Sequence, residues 1–367
     1  MAPSEHENAQ NDTEIEPKGR AEELPEFSPS QITLDTFNDL LARYPTTVET
    51  VIRRKETAKA LKAATAREKK TRAKEKNDEV QPTLTAAEKL YIDRQVRAYL
   101  ALDGFRYGTL PARVRERATA TAAAAAKADV GGYLEKDELV QLMEWKLKHG
   151  VYRPTLLGLV RSNPAELIRR TTASAFATVP VSDPTGELAF ADAESEVFVL
   201  DSAFPKQSLD ALTSPLRGVG PATASLILSV ATESAPFYSD DVFLWLCVGI
   251  FPFAPAAAAE EGGASKRVRP NGELNVKYNL HEYRLLWEAV QRLRTRLAAR
   301  SSDANADPVS CADVEKVAFV LRHIDASGYS VGDGPASAQE VEGTKRKPDQ
   351  DVQAGEERSE RSSKRRR

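Results

Sequence analysis

Cysteine is almost absent from this 367-residue chain. Cys247 and Cys311 are its two thiols, which excludes a disulfide framework and leaves an iron–sulfur cluster without its four ligands. Histidine is scarce as well. His149, His281 and His323 stand without a Cys or His companion at ligand spacing, so no metal site is expected. Long apolar runs are missing, and the N-terminus is acidic and polar, so neither a membrane span nor a secretory leader is expected. A strong charge bias is lacking too. The formal net charge is −3, so any nucleic-acid partner would have to be held by local rather than overall charge. No strand-rich region and no internal repeat stand out, and the expected fold is mainly α.

What is present suffices for a sizeable core. Hydrophobic residues make up 41% of the chain and charged residues 29%, the latter concentrated in segments with little to bury. Residues 1–30 are rich in Glu, Asn, Pro and Ser and are expected to be a disordered tail. Residues 328–367 are expected to be a second one. That tail carries Lys345-Arg346-Lys347 and Lys364-Arg365-Arg366-Arg367, two basic clusters across a polar spacer that suggest nuclear import. Between the tails, 31–327 is expected to be one helical domain.

Within it, Leu34, Phe37, Leu40, Leu41 and Tyr44 repeat at helical spacing. A second helix is expected from Val48, with Thr46 or Thr47 as its cap. About 53–82 the chain is Lys/Arg/Ala/Glu-rich with almost no large apolar residue, and it is expected to be a basic, solvated helical insertion. Thr85 stands three residues before Glu88, a capping-box spacing for the next helix. Phe105-Arg106-Tyr107 suggests a packed turn, and 134–149 an amphipathic helix closed by Gly150. Asn163-Pro164 suggests a helix cap, and Pro180 to Glu194 a loop. About 251–272, clusters of Pro, Ala and Gly predict an exposed loop insertion. Helices at 280–300 and 308–325 complete the domain.

The segment 208–230 has a distinct character. Gly218-Val219-Gly220 follows a short helix ending near Pro215, and Pro221 sits where a first helical position costs no hydrogen bond. The two glycines let the chain turn sharply. Ala222 to Val230 then forms a largely apolar helix. Such a turn presents backbone amides and a helix N-terminus, which are donors for phosphate. These contacts position a strand without reading its bases. Twenty positions beyond Gly220, after Pro236-Phe237-Tyr238-Ser239, come Asp240 and Asp241.

This stretch resembles the helix-hairpin-helix of the endonuclease III-like DNA glycosylase superfamily. It is most similar to the Amun-type glycosylase-like eukaryotic proteins, whose signature resembles Trp145-Lys146-Leu147, Arg153-Pro154, the hairpin and Pro236 to Asp240. The resemblance implies a helical glycosylase-like domain that contacts DNA through Arg217, Gly218, Val219, Gly220, Ala222 and Thr223. It also implies Asp240 as a catalytic carboxylate, with Asp241 as a weaker second. A monovalent cation bridging hairpin carbonyls to phosphate is implied as well. The departures have consequences. Ala222 stands where bifunctional members carry a Schiff-base lysine, so lyase chemistry by that route is excluded. Asp240-Asp241-Val242 lacks the usual asparagine.

Three functions remain open: a nuclear DNA-binding module, a monofunctional N-glycosylase using Asp240, and a scaffold for chromatin or repair proteins that keeps the fold. Asp240 or Ser239 would serve equally as the N-cap of the following helix. Trp145 is expected in the core, with Lys146 and Arg153 as candidate contacts. Arg292, Arg296 and Arg300 fall on one helical face, either tracking phosphate or facing solvent.

Overall fold

The capping box expected from Thr85 is formed: the Glu88 amide donates to Thr85 Oγ1 (3.2 Å) and the Thr85 amide donates to the Glu88 carboxylate (2.9 Å). It starts one of a series of helices in the computed structural model, which describes residues 27–72, 83–124, 132–150, 153–180, 183–188, 192–253, 267–269, 274–300 and 307–329. The chain is mainly α, and among the described residues its only β pairing is the isolated bridge Val268–Leu274. The helices are α1 (Leu34–Ala42), α2 (Tyr44–Arg72), α3 (Ala86–Gly104) and α4 (Leu110–Ala124). There follow α5 (Lys136–His149), α6 (Pro154–Arg161), α7 (Ala165–Ala177), α8 (Pro184–Leu188) and α9 (Ala193–Ala203). After them come α10 (Lys206–Thr213), α11 (Pro221–Leu228), α12 (Asp240–Phe243), α13 (Leu280–Ala298) and α14 (Cys311–Arg322).

Several expectations need correction. Thr46 and Thr47 cap nothing, because α2 already begins at Tyr44 and Thr47 Oγ1 donates back to the Arg43 carbonyl (2.8 Å). The basic stretch from Arg53 is helical as far as Arg72, but it is not a separate helix and is not solvated all round. It continues α2 and packs on α3, with Ala64 buried. Its charges are paired along the way, Arg53 with Glu49 and Asp93, and Arg67 with Glu88. Phe105–Thr109 is not a turn but a π-helical segment joining α3 to α4 without a break. The expected loop after Pro180 contains α8. Folded structure also exceeds the expected limits at both ends. Phe27 is buried, its carbonyl accepts from Trp245 Nε1 (2.8 Å), and its ring meets that of Tyr329 edge-on at 5.6 Å. The tail expectations otherwise fall on residues 1–26 and 330–367, outside the described residues, as do 73–82 and most of the 251–272 insertion.

The core holds all three tryptophans, and each indole N–H finds an acceptor, as a buried indole requires. Trp145 donates to Asp103 (2.9 Å), Trp245 to Phe27 O and Trp287 to Ser234 O (3.2 Å). α11 is apolar on every side, with Leu226, Ile227 and Leu228 fully buried among α7, α10 and α13. A helix of that kind belongs at the centre of a fold, so only its first turn reaches the surface. Near its far end lies a buried ion pair. Arg106, 1% exposed, meets Glu315, 2% exposed, at 3.4 Å and donates to Ser229 Oγ at 2.6 Å.

Candidate functional site

The hairpin between α10 and α11 is bent by one glycine, not two. Gly218 has φ +77°, and a Cβ there would stand 3.0 Å from Leu159 Cβ and 3.3 Å from Val160 Cγ2. Gly220 is extended at φ −100°, ψ −177°, with open space where a side chain would go. Pro221 opens α11 as the sequence predicts. The turn is clamped by Asn163, which is buried. The Arg217 amide donates to Asn163 Oδ1 (2.9 Å), and Asn163 Nδ2 donates to the Arg217 carbonyl (3.0 Å). Asn163 therefore does not cap α7, whose N-cap is Pro164; its Nδ2 also reaches the Val160 carbonyl (3.0 Å) at the end of α6. Its hairpin partner lies 54 positions away, a pairing that no local pattern announces.

The six hairpin residues singled out in the sequence do not share one environment. Arg217 is exposed, whereas the Val219 side chain is buried, so Val219 offers a ligand main chain at most. Gly218, Gly220, Ala222 and Thr223 border an open cleft of about 660 Å³. Asp240 and Asp241 line the same cleft. So do five cationic side chains: Lys146, Arg153, Arg269, Lys277 and Arg322. Among the described residues, the amides of Gly220 and Ala222 have no acceptor, while Thr223 N is turned back onto Gly220 O (2.9 Å).

The cap of α12 is Ser239, whose Oγ accepts from the amides of Asp241 (3.2 Å) and Val242 (3.5 Å). Asp240 is thereby freed from capping, and its Oδ1 accepts from the Tyr278 hydroxyl at 2.9 Å. Burial raises the Asp240 pKa, opposed by that hydrogen bond and by Lys146, Arg153 and Arg322. Asp241 is pushed up to about 7, first by burial and then by the adjacent Asp240. The α12 acids are thus an inequivalent pair, with Asp241 partly protonated at neutral pH.

Tyr278 was not legible in the sequence. It sits at φ +54°, unusual for a side chain of its size, and the Arg153 guanidinium lies 5.1 Å from its ring centre. Backbone strain of this kind costs roughly 1–3 kcal/mol and persists where the surroundings enforce it. Opposite, Lys146 on α5 donates to Thr223 Oγ1 (2.9 Å) and lies 5.5 Å from the Phe237 ring centre. Burial, with Arg153 nearby, lowers the Lys146 pKa to about 7. Behind it His149 is stacked on Trp145 at 4.6 Å and hydrogen-bonded to Tyr99 (2.7 Å), with burial lowering its pKa to about 3. The imidazole is therefore neutral.

The other candidates take structural roles. Trp145 is in the core, as expected. The α13 arginines do not form a phosphate track: Arg292 pairs with Glu196 (2.7 Å), and Arg296 Nε donates to the Pro29 carbonyl (3.1 Å). Arg294 is buried, between Asp183 (2.7 Å) and the Val309 carbonyl (2.7 Å). Among the described residues no group of three His, Cys, Asp or Glu side chains is arranged to hold a metal ion, and no helix is long and apolar enough to cross a membrane. In comparisons with protein-family models, with curated proteins and with solved structures, nothing matches this chain.

Proposed function

We propose that this chain is a nuclear DNA-binding protein of helix-hairpin-helix glycosylase type, which seats a phosphate backbone on the hairpin and takes one nucleotide into the cleft behind it. The observation that carries this reading is the shared cleft, in which hairpin residues, five cations and Asp240 meet. Peptide amides at Gly220 and Ala222 suit phosphate oxygens. The cations supply locally the attraction that a net charge of −3 does not. A volume of about 660 Å³ lies in the range of small-ligand pockets and leaves room for an extruded base. A scaffold that no longer touches nucleic acid has no need of such a basic cleft.

A second reading, hydrolysis of the N-glycosidic bond, is favoured by the release of Asp240 from capping duty. Its carboxylate, held by Tyr278, would stabilise positive charge on the sugar as the base departs and orient a water toward C1′. The water oxygen bonds to C1′, and a water proton balances the leaving base.

Fluorescence anisotropy on labelled duplexes over a salt series tests the first reading. Removing one phosphate-neutralising cation lowers the slope of log K against log salt by roughly 0.9, so Arg153→Gln with Lys277→Gln is expected to reduce it by about 2. Salt-independent affinity would sink the reading. Base release from a panel of lesion-bearing duplexes tests the second, with Asp240→Asn expected to bind as the wild type and release nothing.

A further inference from the structure

Two helices end in the lining of the cleft. His149 closes α5 there, and Arg322, followed by His323, closes α14. Both ends are met from outside by α2. Lys55 Nζ donates to the Lys148 carbonyl (2.8 Å) in the last turn of α5, and Arg54 pairs with Asp325 just beyond α14. Burial lowers the pKa of His149 and of His323 first of all, and the Lys55 charge adds to the effect in both. The basic stretch of α2 therefore starts at the rim of the cleft.

From that rim the lysines keep to one face. Lys55, Lys59 and Lys62 recur at the i, i+4, i+7 spacing of a single helical stripe, about 10 Å long at roughly 1.5 Å per residue. Arg53 and Arg67 are turned the other way, where Asp93 and Glu88 on α3 neutralise them. The stripe itself has little such compensation. Lys55 meets a carbonyl rather than a carboxylate. Lys62 and the neighbouring Lys148 are exposed, and among the described residues neither forms an ion pair. Lys59 lies 2.6 Å from Glu56 but is 61% exposed, and an ion pair so open to water is weak. Asp325 is taken up by Arg54. A surface kept only for solubility intersperses both signs, whereas this one is sorted.

We infer that the lysine stripe of α2 is a second phosphate track, which holds the duplex flanking the nucleotide seated in the cleft. The occupant is the same DNA molecule, because the stripe opens onto the cleft and carries the sign that a phosphate backbone requires. Phosphates of one strand follow one another at about 3.4 Å along the duplex axis, so the stripe faces about three of them. The contact adds affinity and fixes the direction in which the duplex leaves the cleft, and it reads no bases. The inference rests on the DNA-binding reading, since the strand in the cleft is what brings its flank onto α2.

The test is anisotropy of the full-length protein over a salt series, on a labelled duplex with one mismatched pair. The mismatch fixes the register, because an unpaired base is the easiest to extrude. The duplex is then shortened from one end or from the other. Lys59→Gln with Lys62→Gln changes two exposed side chains and is expected to fold like the wild type by circular dichroism. It is expected to lower the slope of log K against log salt by about 2, at roughly 0.9 per phosphate contact. Trimming one flank, and not the other, is expected to erase that difference. Arg115→Gln with Lys206→Gln removes the same charge from exposed positions on α4 and α10 and is expected to leave the slope unchanged. A stripe variant that keeps the wild-type slope, while Arg153→Gln with Lys277→Gln lowers it, overturns the inference and leaves the DNA-binding reading standing. A loss that persists whichever flank is trimmed, or that the control variant shares, also overturns it. Wild-type affinity that does not respond to salt overturns the DNA-binding reading and the inference with it.

Discussion

Replacing each hairpin glycine separately by alanine distinguishes what the turn needs to fold from what it needs to bind. At Gly218 the backbone lies at φ +77°, where an L-residue costs roughly 1–2 kcal/mol. The new methyl would stand 3.0 Å from Leu159 Cβ and 3.3 Å from Val160 Cγ2. Crowding of a packed contact costs about 1–3 kcal/mol. Leu159 Cβ is fixed to the α6 backbone and Val160 is fully buried, so neither gives readily and both costs apply. Gly218→Ala is therefore expected to lose about 2–5 kcal/mol, which at roughly 2–4 °C per kcal/mol for a domain of this class lowers Tm by about 4–20 °C. At Gly220 the backbone is extended and the space is open. Restricting the unfolded chain gains about 0.4–1 kcal/mol, and a poorer N-cap costs a comparable amount. Gly220→Ala is expected to unfold like the wild type.

Binding should reverse the order of importance. The amide survives in Gly220→Ala, but its methyl projects into the space a phosphate must approach, and affinity for duplex DNA is expected to fall about tenfold, or about 1.4 kcal/mol. Urea unfolding followed by circular dichroism, with anisotropy on the same preparations, measures both quantities. Equal destabilisation by the two substitutions would refute the conformational reasoning. Wild-type affinity in a stable Gly220→Ala protein would refute the hairpin as the DNA-binding surface.

Two further outcomes follow from the buried charges. Asp241 has a folded pKa of about 7 against an ordinary 3.8, so the folded state binds its proton more tightly. Its stabilising contribution is complete below the unfolded value and is lost as pH rises toward 7. Each tenfold in proton affinity is worth about 1.4 kcal/mol, so the loss is on the order of 2–4 kcal/mol. Asp241→Asn is expected to flatten the wild-type decline in stability between pH 4 and 7, and an unchanged slope would refute the assignment. Arg106→Leu leaves Glu315 buried without its cation, which is expected to cost about 3–5 kcal/mol in denaturant unfolding. Arg106→Leu with Glu315→Leu should recover much of that, and a double variant no better than the single would place the cost elsewhere.

Local chemistry was legible along the chain. Thr85 and Glu88 formed their box, Gly150 and Pro221 fell at a helix end and a helix start, and the apolar run after Ala222 became a buried helix. Misreadings came where distant contacts overrode local cues. Thr46 and Thr47 look like caps until Tyr44, packed edge-on against Tyr107 at 5.9 Å and Phe319 at 5.7 Å, draws the helix start earlier. The lysine- and arginine-rich stretch lacks an apolar face of its own, and it is held by an ion pair with Glu49 on α2 itself and by pairs with Asp93 and Glu88 on α3. Tyr278 and Asn163 carry no periodic signal for their places at the site, because Tyr278 reaches Asp240 and Asn163 the Arg217 main chain across the fold.

The sequence by itself determined the helical class, the turn at Gly218 and the presence of a carboxylate pair twenty residues beyond the hairpin, since these depend on side-chain periodicity and backbone sterics over a few neighbours. Only the tertiary structure decided that Lys146, Thr223, Asp240 and Tyr278 share one cleft, that Ser239 rather than Asp240 caps α12, and that Val219 faces inward. Proton affinities followed from that assembly. A lysine and an aspartate are ordinary in sequence, and they acquire unusual chemistry when packing removes water from around them.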